Sequence, residues 1–142
     1  MLKPAAYWDS SALIPLFVAR TQTERVSQFF AKYRVAIWWS TAVEIVSGLT
    51  RLERMGEIDH DEFHAGKQLA QTVATTWVSI RPSERIAAGA CSLLEAHPLS
   101  AADALQLSAA LEWCEGKPHG NVFLTFDRRL REAAGLAGFT LE

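Results

Sequence analysis

Four short runs of apolar, β-branched or aromatic residues, at 5–8, 35–39, 77–80 and 121–126, are each followed within a few positions by a stretch with helical periodicity. This alternation constrains the fold more than any other feature of the chain. Strands separated by helices cannot pair as hairpins. The chain must cross over between them, which makes the strands parallel and lays helices on both faces of the sheet. An α/β fold follows, with a central, mainly parallel, twisted sheet of four or five strands flanked by helices. Helices are predicted over 12–19, 21–32, 40–56, 59–75, 82–96, 100–115 and 127–136, and a short edge strand over 138–141. Gly56 suits a helix stop and His97-Pro98 a break, since the residue before proline is driven out of the helical region.

With 142 residues the chain is long enough for one domain with a sizeable core and too short for two ordinary ones, so one domain is expected over 1–142. A hydrophobic fraction of 49% against 21% charged residues is the composition of a packed protein rather than a disordered one. No apolar leader and no run of 18 apolar residues is present, which predicts a cytoplasmic protein with no membrane partner. Cys91 and Cys114 lack CxxC spacing and are expected to be buried structural thiols. A net charge of -2 excludes a protein that holds nucleic acid by bulk electrostatics alone. If the substrate is nucleic acid, a bound metal must supply part of the positive charge.

Ligands of parallel sheets gather outside the carboxyl ends of the strands, and four acids are placed for that rim. Asp9 follows the first run directly and Asp127 the last, while Glu44 in Ser-Thr-Ala-Val-Glu and Asp103 in Leu-Ser-Ala-Ala-Asp fall in first turns of helices. Beside apolar segments an ionised carboxylate is costly unless something compensates it. Each acid also has a purely structural alternative. Thr41 with Glu44, and Ser100 with Asp103, have the spacing of a capping box, and Asp9 and Asp127 can be simple helix caps. Asp59 to Glu62 has the same spacing and nothing further to recommend it. The joint placement on one rim is what favours a site.

Four carboxylates brought together repel one another unless cations neutralise them. All-oxygen ligation suits Mg²⁺ or Mn²⁺ rather than Zn²⁺, and leaves positions for substrate phosphate oxygens. That chemistry serves phosphodiester hydrolysis. Other candidates are weaker. His60 and His64 share a helix face, but Asp61 and Phe63 stand where a zinc protease helix needs glutamate, so a solvated face is expected. Arg51, Arg54, Arg128 and Arg129 fit either phosphate contacts or the exposed arginines that helix ends favour. Trp38, Trp39, Trp77 and Trp113 are expected as core or dimer contacts, and 116–121 is a loop with no phosphate-binding glycine pattern.

The segments Tyr7-Trp8-Asp9-Ser10-Ser11-Ala12-Leu13, Ser40-Thr41-Ala42-Val43-Glu44-Ile45, Leu99-Ser100-Ala101-Ala102-Asp103-Ala104-Leu105-Gln106-Leu107 and Leu124-Thr125-Phe126-Asp127-Arg128-Arg129-Leu130 are similar to the motifs of PIN-domain nucleases. In order and separation they resemble in particular the toxin component of VapBC-type toxin-antitoxin pairs. The resemblance implies that Asp9, Glu44, Asp103 and Asp127 are catalytic, metal-binding acids, with Thr125 and Ser10 as hydroxyls supporting the metal. It implies an Mg²⁺- or Mn²⁺-dependent endoribonuclease acting on cellular RNA, a homodimer, and a cognate VapB-type antitoxin. Gln106 stands where some more distant relatives carry a further acid, which favours one metal over two. Arg51 and Arg128 are the candidate RNA contacts. Two further readings stay open: a non-catalytic PIN-like interaction module whose acids only cap helices, and a metal-dependent nuclease or phosphatase with a substrate other than RNA.

Overall fold

The computed structural model describes residues 2–142. Strand β1 (Ala5–Trp8) leads into the single helical turn α1 (Ser10–Leu13), a tighter 3-10 turn at Ile14–Leu16, and helix α2 (Thr23–Lys32). Strand β2 (Arg34–Trp38) is followed by α3 (Thr41–Arg54) and α4 (His60–Ala74), and β3 (Val78–Ile80) by α5 (Glu84–Ala96) and α6 (Ala101–Trp113). Strand β4 (Phe123–Leu124) and helix α7 (Arg128–Ala137) complete the domain. The sheet is wholly parallel, with spatial order β3-β2-β1-β4. The chain therefore builds outward from β1 to β3, then crosses back over β2 and β1 to place β4 on the other side. The order reverses between β1 and β4, which is where an open parallel sheet leaves a crevice at its carboxyl edge.

The two-residue period of the strands divides the core into two layers. Ala6, Trp8, Val35, Ile37 and Leu124 face a layer completed by Leu13, Val26, Ile45, Leu49 and Ala70 from α1 to α4. Tyr7, Trp38 and Phe123 face the opposite layer, completed by Ile86, Leu107, Ala110, Leu130 and Ala134 from α5 to α7. Helix α6 is buried along one continuous stretch, Ala104 and Gln106 to Ala110, and carries only small or apolar side chains there apart from Gln106 and Ser108. Small residues let α5 approach it closely. A Cβ at Gly89 would lie 2.5 Å from Ser108 Oγ, which itself donates to the Ile86 carbonyl at 2.7 Å.

Several boundaries differ from the sequence expectation. The helix over 12–19 is instead the short α1 and a 3-10 turn, because Pro15 has no N–H to continue an α-helix and sits at the start of the tighter turn. The strand over 121–126 is reduced to Phe123–Leu124, and the edge strand over 138–141 to one parallel bridge between Val122 and Thr140. Thr125 and Phe126 leave the ladder to serve the loop beyond it. Cys91 is exposed and Cys114 only half-buried, contrary to the expectation of buried thiols, since Cys91 falls on the solvent side of α5. Trp39 is likewise 55% exposed, one residue beyond the end of β2, whereas Trp38 is buried and Trp77 and Trp113 pack against the core layers. Among the described residues no helix is long and apolar enough to cross a membrane.

The close α5–α6 contact gives a test of the packing. Gly89→Ala should destabilise the fold by about 1–3 kcal/mol in urea unfolding, despite alanine's better helix propensity, because the new methyl overpacks against Ser108. In a Ser108→Ala background the same change should cost much less, and equal costs in both backgrounds would show that the approach is not limiting.

Candidate active site

Asp9 ends β1 in extended conformation and caps α1, its side chain accepting from the Ser11 N–H. Only 3% of it is exposed. Burial raises its pKa from the ordinary carboxylate value, and hydrogen bonds from Ser11 and Thr125 oppose that rise. Ser11 Oγ donates to Asp9 Oδ2 at 2.7 Å and Thr125 Oγ1 to the same oxygen at 2.8 Å. Each hydroxyl in turn accepts one backbone N–H from the loop after β4, Phe126 to Ser11 at 2.9 Å and Asp127 to Thr125 at 3.0 Å. The two hydroxyls lie 3.1 Å apart, but each has given its single proton to Asp9. The loop amides thus polarise two hydroxyls toward one carboxylate and tie the ends of β1 and β4 together.

Glu44 sits in the first turn of α3, half-buried. The helix is entered from Ser40, whose side chain makes no bond to the backbone and instead donates its hydroxyl to Glu44 Oε2 at 2.7 Å. The capping-box alternative for Thr41 and Glu44 is therefore not what forms. Gln106 Nε2 lies 3.1 Å from each Glu44 oxygen, and Ser10 Oγ reaches both Asp9 Oδ1 at 3.4 Å and Glu44 Oε1 at 3.5 Å, a pair of long contacts that measure how near the two acids stand. Asp59 and Glu62, by contrast, do form a reciprocal capping box at the start of α4.

Asp103 lies in the first turn of α6, its N–H bonded to the Ser100 hydroxyl at 3.2 Å. Partial burial, followed by the charges of Asp127, Asp9 and Glu44, lifts its pKa from 3.8 to about 6. Asp127, Asp9 and Glu44 are thus all within electrostatic reach of Asp103. Asp127 caps α7, accepting from the Leu130 N–H at 2.9 Å. Capping and rim placement thus coexist in Asp9 and Asp127.

Among the described residues, none of the four acids is paired with a lysine, arginine or histidine. An almost fully buried carboxylate and three neighbours with no protein cation form a hard, all-oxygen donor set, which fits Mg²⁺ or Mn²⁺ in charge and ligand type. Yet among the described residues no three acid, histidine or cysteine side chains are gathered closely enough to hold one ion directly. The two observations are compatible on physical grounds. Uncompensated carboxylates stand apart, and Mg²⁺ keeps several waters, needing only one or two direct carboxylates.

Arg51 is exposed on α3 and lines a groove of about 280 Å³ whose other walls include Ser11, Arg20 and Phe126, so the groove abuts the Asp9 hydroxyl network. Arg128 is exposed at the first position of α7, next to Asp127 in sequence and without an ion pair among the described residues. His60 and His64 are exposed and stacked on the outer face of α4, with His60 Nδ1 3.1 Å from Glu53. A roomier concavity of about 590 Å³ between α5 and α6, lined by Arg85, Ser108 and Glu112, lies away from the four acids. The residues that sequence reasoning passed over are Ser11, Ser40 and Tyr7, and it noted Gln106 only as the absence of a further acid. Gln106 carried a signal, an amide three positions after Asp103 in an otherwise apolar run.

A family model for the PIN domain matches residues 6–136. No curated protein matches the chain in sequence. Among solved structures, the chain is similar to VapC20 from Mycobacterium tuberculosis, a toxin that cleaves the sarcin-ricin loop, at 19% identity, with 96% of this chain and 97% of that one covered and a TM-score of 0.66. It is also similar to PAE2754 from Pyrobaculum aerophilum, at 20% identity over 97% and 89% of the two chains with a TM-score of 0.63. A toxin-antitoxin complex from Klebsiella pneumoniae contains a third similar chain, at 21% identity over 85% of each with a TM-score of 0.61. At these identities the likeness is one of fold.

The raised pKa of Asp103 makes stability depend on pH. The folded state favours the protonated acid, so between 3.8 and about 6 it holds more protons than the unfolded chain, and stability falls as pH rises through that window. Thermal melts in EDTA from about pH 4 to 7 should show this decline, and it should be shallower in Asp103→Asn. Parallel curves for the two proteins would show that the Asp103 pKa is not raised as described.

Proposed function

The chain belongs to the PIN domain family, and we propose that its acidic rim is the active site of a metal-dependent endoribonuclease, the toxin of a toxin-antitoxin pair. The observation that carries this reading is the set of four uncompensated acids at the point where the strand order reverses. Asp9, Glu44, Asp103 and Asp127 are the residues that would hold Mg²⁺ or Mn²⁺, directly or through water. The ion supplies the charge neutralisation and water activation that phosphodiester hydrolysis needs. The chain's own groups do the rest. Ser11 and Thr125 aim Asp9 and oppose the rise in its pKa that burial causes. Gln106 and Ser40 aim Glu44. A carboxylate not engaged with the ion takes the proton that water loses as it attacks phosphorus, and the P–O bond to the leaving ribose oxygen breaks. Arg51 and Arg128 sit beside the rim as candidate partners for flanking phosphates of the RNA.

The partner readings belong to the same proposal. Beside the rim, the outer face of α3 offers a groove of about 550 Å³ lined by Val43, Val46, Arg51, Arg54 and Met55. Val43 and Met55 are 69% and 65% exposed there. An apolar floor with two arginines suits an acidic, partly apolar peptide, and we assign it to a cognate VapB-type antitoxin. A homodimer acting on RNA in the cytoplasm completes the reading.

Incubating the purified chain with total RNA and Mg²⁺ should give cleavage that EDTA stops. Asp9→Ala or Asp103→Ala should cut activity by about 100-fold or more and relieve growth arrest on expression, because each loss removes charge that the transition state needs. Arg51→Ala and Arg128→Ala should cost less and reduce the salt dependence of RNA binding. Cleavage that persists in EDTA or survives the loss of Asp103 overturns the reading.

A further inference from the structure

Among the described residues, Gln106 is the one amide side chain fully enclosed beside the acids, with 0% of its surface exposed. Its contacts are all to protein. The side-chain oxygen accepts from the Tyr7 hydroxyl at 2.6 Å, and Nε2 lies 3.1 Å from Thr41 Oγ1 and 3.1 Å from each oxygen of Glu44. Tyr7 is itself 0% exposed, and its hydroxyl is the donor in that 2.6 Å contact. That proton fixes the amide's orientation. Turned the other way, Gln106 would set its carbonyl oxygen against the Glu44 carboxylate, a contact of two acceptors.

We infer that Gln106, oriented by Tyr7, is the positioning residue that presents Glu44 to the metal centre. The inference rests on the metal reading proposed above and extends it to groups that touch neither ion nor substrate. Two features of the contact carry it. First, the amide is neutral. A lysine or arginine here would order Glu44 equally well but cancel charge that attracts a divalent cation, and a glutamate would repel it. An amide orients an anion and leaves its charge in place. Second, Nε2 lies at the same 3.1 Å from both carboxylate oxygens, so one donor group restrains both of them and holds the direction of the carboxylate. The chain also joins elements far apart in sequence. Tyr7 lies in β1 two residues before Asp9, Gln106 lies one turn after Asp103 on α6, and Glu44 lies in the first turn of α3, so one line of hydrogen bonds ties together the three elements that carry these acids and ends on Glu44.

A buried tie between α6, β1 and α3 would also stabilise the fold, so the test reads metal affinity as well as stability. Mn²⁺ binding to the full chain is followed by calorimetry and by the electron paramagnetic resonance signal of free aqueous Mn²⁺, with no RNA present. Wild type, Asp9→Asn, Gln106→Leu, Tyr7→Phe and the Tyr7→Phe/Gln106→Leu double variant are compared, with folding checked by circular dichroism. Gln106→Leu should weaken Mn²⁺ by about 10–100-fold, as is usual when the partner orienting a metal ligand is removed. Tyr7→Phe should weaken it by a smaller factor, and the double variant no more than Gln106→Leu alone, since both act through one chain. Folded Gln106→Leu with wild-type affinity, in a series where Asp9→Asn loses binding, overturns the inference and leaves the metal reading standing. Wild type that binds no Mn²⁺ overturns both. Should Gln106→Leu not fold, Tyr7→Phe decides, because it removes one hydroxyl and keeps the ring stacked on Phe123. Wild-type affinity in that variant overturns the role of the pair.

Discussion

The rest of the structure is arranged around one expensive group, the Asp9 carboxylate, buried at the end of β1 with no protein cation beside it among the described residues. Such a charge persists in a folded interior only if dipoles replace the water it has lost. Two hydroxyls and two loop amides do so, drawn from the start of α1 and from the turn after β4. The requirement explains why β4 stops at Leu124. Thr125 and Phe126 leave the ladder, the Thr125 hydroxyl donating to Asp9 and the Phe126 N–H to the Ser11 hydroxyl that also donates to Asp9.

The same constraint links stability to function. The fold carries three acids whose pKa values are raised by burial, and further by the charge of Asp9 in Glu44 and by those of Asp127, Asp9 and Glu44 in Asp103. A domain selected for stability alone would have no reason to keep unpaired carboxylates there, since each is held against desolvation. Helix α6 shows how the strain is borne. Its middle is packed with alanine and leucine in the second core layer, while its first turn holds Asp103 at the rim and Gln106 reaches across to Glu44. Rigid packing at one end gives the other end a fixed geometry.

The exposed surface divides by chemistry. The acids occupy the crevice, arginines flank it on α3 and at the start of α7, and three of the apolar side chains left in solvent, Trp39, Val43 and Met55, lie at and beyond the carboxyl end of β2 and along α3. An acidic centre repels a polyanion, so positive charge beside it is what allows one to approach. A peptide covering the same arginines and apolar residues would compete with that approach without touching the acids.

The alternation of strand-length and helix-length segments determined the α/β class, the parallel pairing and the two-layer core, because periods of 2 and 3.6 and the crossover requirement are local properties of the chain. It also determined that Asp9 and Asp127 would follow strands and that Glu44 and Asp103 would open helices. Only the tertiary structure decided what those acids meet. Ser11 reaches Thr125, Tyr7 reaches Gln106, and Gln106 reaches Glu44 across separations of 114, 99 and 62 residues, and no local pattern encodes such partners. Packing likewise exposed Cys91, expected as a buried thiol, and Trp39, expected as a core or dimer contact, and ended α1 at Leu13, before Pro15, and β4 at Leu124. The sequence's periodicity sets which face each side chain takes. Whether a buried polar group is satisfied depends on atoms brought from elsewhere in the chain, and that is settled only when the layers close.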